Sequence, residues 1–143
     1  MRILVGTWGT GPFDSDAAED YADALERMSA SHRTGALGEI FGRAALAADD
    51  SWPDPGELIA AAAIVAANMP AGASLPLDED HQEIPQWLEK PVPDELAASA
   101  IRALDAALPT GGWFWRSWTD EGDRIESETM VANLKAVLGS RRG

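Results

Sequence analysis

Cysteine is absent from this chain of 143 residues, which excludes disulfides, thiolate nucleophiles and every zinc site that needs a sulfur ligand. Histidine is nearly absent as well. His32 and His81 stand too far apart to form the His-x-x-x-His or Glu-x-x-His pairs that hold catalytic metals. No serine occupies a Gly-x-Ser-x-Gly elbow, so a hydrolase triad has no support. No apolar run approaches the roughly 18 residues of a bilayer-spanning helix, and Ile3 to Val5 is too short for the apolar core of a signal peptide. A cytoplasmic protein without membrane association is therefore expected. The chain also lacks a fixed-period repeat, a low-complexity tract and, beyond Arg2 to Val5, any alternating strand pattern.

Positive charge is scarce. Lysine occurs only at Lys90 and Lys135, arginine supplies the rest, and the formal net charge is -13. Such a surface repels nucleic-acid phosphates, whose binding rests on Lys and Arg. It suits either plain solubility or electrostatic steering of a basic protein partner. What remains is ordinary globular material, 45% hydrophobic and 24% charged, and residues 1–143 fit one domain with a single core. Residues 1–5 read as a loose lead or short edge strand, and residues 139–143 as a loose tail.

The fold class expected is all-α, a bundle of five or six helices punctuated by Pro, Gly and Asp. Asp16 and Glu19 have the spacing of a capping box, and Ala18, Tyr21, Ala22, Leu25 and Met28 then share one face of a helix running to about Ser29. Thr34 is the expected cap of a second helix, with Leu37, Ile40, Phe41, Ala44 and Ala48 inward, and Gly38 and Gly42 permitting close helix approach. Asp54-Pro55-Gly56-Glu57 opens a third. Its body, Leu58 to Ala67, has no polar residue on any side, which marks the helix at the centre of the bundle. Ile84 to Glu89 suggests a short helical piece with Pro85 near its start. Asp94 begins a helix carrying Ala97, Ala100, Ile101, Leu104 and Leu108 on one face. The last helix spans about Asp123 to Leu138, with Ile125, Met130, Leu134, Val137 and Leu138 inward and Gly139 as a left-handed cap.

Gly6 to Asp16 is the most distinctive stretch. Trp8, Gly9, Gly11, Phe13, Asp14 and Asp16 resemble the opening of a bacterial domain-of-unknown-function family, which begins Trp-Gly-x-Gly-x-Phe-[Asp/Glu]-[Asn/Asp]-Asp and continues as Ala- and Leu-rich helix. The resemblance implies an all-helical fold over nearly the whole chain and no activity. Read from the residues, Trp8 and Phe13 plug a groove between helices, the glycines let the Gly-rich loop lie on the outside of the bundle, and Asp14 and Asp16 favour the helix start through its dipole. A dinucleotide loop is disfavoured, because Asp14 stands where the third glycine of that fingerprint belongs. Asp14, Asp16, Glu19 and Asp20 lack the glycine of a calcium loop. No catalytic residue, metal ligand or cofactor is assigned.

The second unusual feature is Trp113, Trp115, Arg116 and Trp118, with Phe114 between them. On a helix Trp115 and Trp118 would share a face while Trp113 pointed elsewhere, so part of the cluster has either to close the bundle core or to stay exposed as an anchor for a partner. Two functional classes follow. The first is a non-enzymatic acidic binding protein, an immunity-type inhibitor of a basic partner, with those four residues as the contact. The second is a small-ligand-binding protein or metal-dependent enzyme with a carboxylate-lined site near the N-terminal loop.

Overall fold

The computed structural model describes residues 16–46, 55–74, 82–108 and 120–140. They form α1 (Asp16–Glu26), α2 (Ala30–Leu46), α3 (Pro55–Ala67), α4 (Asp94–Ala107) and α5 (Glu121–Leu138), with short 3-10 turns at Pro70–Ser74 and Ile84–Gln86. No strand occurs among the described residues. The protein is all-α, as the periodicity requires.

α3 is the hub. Every residue from Leu58 to Ala67 is buried, and the helix touches α1, α2, α4, α5 and both 3-10 turns. Its six alanines explain how so many neighbours fit. A methyl-sized side chain keeps the helix thin, so axes can approach closely on every side, while Leu58, Ile59, Ile64 and Val65 fill the gaps between them. Pro55 opens the helix and Glu57 stands in its first turn, where proline's missing N–H costs nothing and a carboxylate suits the dipole.

The outer helices turn their apolar stripes onto this hub. α1 buries Ala18, Ala22 and Leu25 and holds Tyr21 half-buried, with Met28 half-buried just beyond its end, while Asp20, Asp23 and Glu26, and Arg27 after them, face solvent. α2 buries Leu37, Ile40, Phe41 and Ala44; Ala48 lies outside the described residues. α2 and α4 pack on each other as well as on α3. Gly38 lies at that contact, since a Cβ there would stand 3.9 Å from Leu96 Cδ1. Gly42 has no such role, because nothing lies within 4 Å of its Cβ position.

Four local expectations are corrected. α1 stops at Glu26 rather than near Ser29. α2 starts at Ala30, four residues before Thr34, because Ser29 Oγ accepts from the His32 backbone N–H at 3.2 Å; a serine three residues upstream of a free N–H captures the helix start first. On α5 the buried stripe is Ser127, Val131, Leu134 and Leu138, which rotates Ile125 outward to 50% exposure and leaves Met130 and Val137 half-buried. Gly139 ends α5 with φ -84° and ψ -3°, a right-handed conformation, its N–H bonded to the Lys135 carbonyl at 2.9 Å. No described helix is long and apolar enough to cross a membrane.

Candidate functional site

Trp8, Gly9, Gly11, Phe13, Asp14, Trp113, Trp115, Arg116 and Trp118 lie outside the described residues, as does His81. Asp16 is the first residue of α1. His32 is exposed on α2. Among the described residues no group of three His, Asp or Glu side chains is arranged to hold a metal ion.

What the fold does assemble is a polar knot at the end of α3. α3 ends at Ala67, leaving carbonyls without helical partners, and the next residue, Asn68, is 2% exposed. Its amide Nδ2 donates to the Ile64 carbonyl at 2.8 Å and the Ile84 carbonyl at 2.9 Å. Its Oδ1 accepts from the Leu88 N–H at 3.1 Å and from Lys90 Nζ at 3.1 Å. All four hydrogen-bonding positions of the amide are thereby used. Lys90 Nζ also donates to the Pro85 carbonyl at 2.8 Å and the Leu88 carbonyl at 3.1 Å, so three acceptors take up the three protons of the ammonium. The Lys90–Pro91 peptide bond is cis.

Arg33 fixes the other end of the same segment. Its guanidinium donates to the Leu25 carbonyl at 2.8 Å and the Glu26 carbonyl at 2.9 Å, both in the last turn of α1, and to the Trp87 carbonyl at 3.0 Å. The same group lies 4.9 Å from the centroid of the buried Trp87 ring, a cation–π contact. A planar fork with five donors suits this task, and a lysine would serve one of these acceptors well at best.

Gly72 lets the chain turn back onto the hub, since a Cβ there would overlap the Ala66 carbonyl oxygen. Beside the knot opens a groove of about 870 Å³. Its lining comes from the end of α3 and the turn after it, with Asn68, Met69 and Pro70, and from Pro85 and the Lys90 to Asp94 segment. Four prolines and a methionine make the walls apolar and, where proline stands, stiff.

Among the described residues one buried polar side-chain atom elsewhere is left over. The Tyr21 hydroxyl is buried without a hydrogen-bond partner. Burial, then the nearby Glu57 carboxylate, pushes this phenol well above the usual tyrosine range, with Arg43 opposing.

The cations of the described helices are largely engaged. Besides Arg33 and Lys90, Arg102 pairs with Glu95 at 3.0 Å, Arg124 with Glu121 at 3.4 Å and Glu128 at 3.8 Å, and Lys135 with Asp105 at 2.8 Å. These pairs are exposed and contribute little stability, yet they neutralise positive charge locally. Sequence reasoning missed the knot and the groove. The available signal was Asn68 itself, one amide directly after ten apolar residues, where a helix end needs its carbonyls satisfied.

No curated protein and no solved structure matches this chain. A family model does match, over residues 6–128, which takes in the Gly-rich opening, all of α1 to α4 and the first turns of α5. The chain thus belongs to the family described as Domain of unknown function (DUF4259).

Proposed function

We propose that this chain is a cytoplasmic bacterial binding protein, non-enzymatic and acidic, that neutralises a basic protein partner in the manner of an immunity-type inhibitor. The observation that carries the reading is the charge. A net -13 is joined to described arginines and lysines most of which are tied to backbone carbonyls or neighbouring carboxylates, while acidic side chains such as Asp20, Asp23 and Glu26 of α1 face solvent. Carboxylates of one sign raise the encounter rate with a basic molecule over about a Debye length, roughly 8 Å at physiological ionic strength. Trp113, Trp115, Arg116 and Trp118 supply the residue types that anchor such a complex once formed. The Trp8 to Asp16 opening serves the fold in this reading, as the packing element that covers helix grooves.

The test is kinetic. A basic protein encoded beside this gene is immobilised, and association and dissociation of the parent chain and of Trp115→Ala and Trp118→Ala are followed at low and high salt. Association should slow as salt rises, and the alanine variants should dissociate faster. Association indifferent to salt, together with alanine variants that dissociate like the parent, would reject the proposal.

A further inference from the structure

The groove beside Asn68 has a chemistry that narrows what could enter it. Its volume, about 870 Å³, lies in the range of ligand-sized sites. Two of its described polar side chains, Asn68 and Lys90, are already committed. The Asn68 amide spends its four hydrogen bonds on Ile64, Ile84, Leu88 and Lys90, and the Lys90 ammonium gives its protons to Asn68, Pro85 and Leu88. Pro70, Pro85, Pro91 and Pro93 have no N–H to offer. A sugar or nucleotide would find the Asp94 carboxylate but few other free partners among the described side chains of the lining, a nucleotide's phosphates would meet that carboxylate, and an added strand would find too few donors along walls made of proline. The complement of Met69, Val92 and the proline rings is a hydrocarbon or aromatic side chain.

The charge around the groove sets what that side chain is attached to. Asp94 lines the groove and is exposed. Glu89 immediately precedes Lys90, Glu83 stands two residues before Pro85, and both are exposed. None of the three carboxylates forms an ion pair among the described residues. Against the one described cation that lines the groove, Lys90, stand Asp94 in the lining and Glu83 and Glu89 close by along the chain, so the described charge around it is net negative and favours a cationic occupant over an anionic one.

We infer that the groove between the end of α3 and the Lys90–Pro93 segment docks an apolar side chain carried on a Lys- or Arg-flanked stretch of the partner protein. This rests on the basic-partner reading above and gives it a location. Stiff proline walls lose little freedom on binding, which favours affinity without rearrangement, and Met69 adapts to the shape of what enters.

The experiment uses the full chain, labelled with nitrogen-15, and three capped tripeptides: Lys-Trp-Lys, Glu-Trp-Glu and Lys-Ala-Lys. The reporters are the Leu88 and Lys90 amide signals and the Asn68 side-chain amide. Lys-Trp-Lys should shift these signals saturably, whereas Glu-Trp-Glu and Lys-Ala-Lys should not. Val92→Ser, at a half-buried wall position, should weaken Lys-Trp-Lys by about fivefold or more. Asp94→Asn should weaken it by about twofold at low salt and less at high salt. A spectrum that keeps the parent's dispersion shows that each variant is folded. Equal binding of Glu-Trp-Glu, or no response of the reporters to any peptide, would overturn the inference. Shifts from both lysine peptides confined to other acidic surfaces would overturn the groove while leaving the basic-partner reading standing, since that reading is judged separately by the salt dependence of protein association.

Discussion

Replacing Asn68 by Ala should be among the most damaging single changes outside the apolar core, and its size can be worked from the four bonds it breaks. The Leu88 N–H and the Ile84 carbonyl are buried partners of the amide. Each would lose its bond at about 1–3 kcal/mol if left unpaired. The adjacent groove admits water, which holds both near the lower half of that range. Loss of the bonds to the Ile64 carbonyl and to Lys90 adds about 1 kcal/mol more, because water replaces them readily. The sum is about 3–4 kcal/mol, or a fall in melting temperature of roughly 10 °C for a domain of this size. Urea unfolding followed by circular dichroism reads it directly.

Asn68→Asp separates acceptor from donor. The carboxylate can still accept from Leu88 and Lys90, but its second oxygen would face the Ile64 and Ile84 carbonyls in place of a donor. At neutral pH this variant should be at least as unstable as the alanine. Its carboxyl would be pushed above the ordinary carboxylate value, and a raised folded-state pKa means stability present at low pH and lost as pH rises. The Asp variant should accordingly regain stability relative to Asn68→Ala on acidification. A loss below about 1 kcal/mol for Asn68→Ala, or an Asp variant that only worsens with acid, would show that the knot does not hold the end of α3.

Two further outcomes follow from single atoms. Gly72→Ala should destabilise the fold by several kcal/mol, since the new methyl overlaps backbone at Ala66 that cannot step aside, whereas Gly42→Ala, open to solvent within α2, should stabilise by about 0.5–1 kcal/mol; equal melting temperatures for the two variants would contradict the geometry. Tyr21 is the only tyrosine, so ultraviolet titration of tyrosinate reads it alone. Its raised pKa leaves stability intact below about pH 10 and removes it progressively above. Tyr21→Phe should match or exceed the parent at neutral pH, because the lost hydroxyl has no partner, and should lose less stability in alkali. A tyrosinate transition at the ordinary value would refute this.

The parts of the fold visible in the sequence were those written in periodicity. α3 announces itself by having no polar side, and its burial requires only that other helices exist to cover it. α1 and α2 show their inward faces at three- and four-residue spacing. α5 misleads, because its apolar residues are spread around the helix. Only packing chooses the stripe through Ser127 and Val131 over the one through Ile125. The start of α2 is ambiguous in the sequence because Ser29 and Thr34 are both competent caps, and the serine is reached first. The knot was invisible for a different reason. Asn68 meets Ile84, Leu88 and Lys90 across 16 to 22 residues of sequence, and no local pattern encodes a pairing of that separation. Trp113, Trp115, Arg116 and Trp118, the contact chosen from composition, lie outside the described residues, so they carry the proposal by residue type alone.

Both lysine amines in this chain are occupied, and by unlike acceptors: Lys135 by the Asp105 carboxylate, Lys90 by an amide oxygen and two backbone carbonyls. Acylation, whether by an enzyme or by a coupling reagent, leaves a lysine nitrogen with one N–H and no charge. At Lys135 that merely releases a surface ion pair. At Lys90 it sets three oxygens competing for one hydrogen and loosens a wall of the groove. A molecule tethered to a sensor through its amines is thus in part tethered at the expense of its own architecture. A chain with no thiol of its own offers the remedy, since a cysteine introduced at exposed Ala132 on α5 would be the sole point of attachment and leave both amines bonded as the fold needs them.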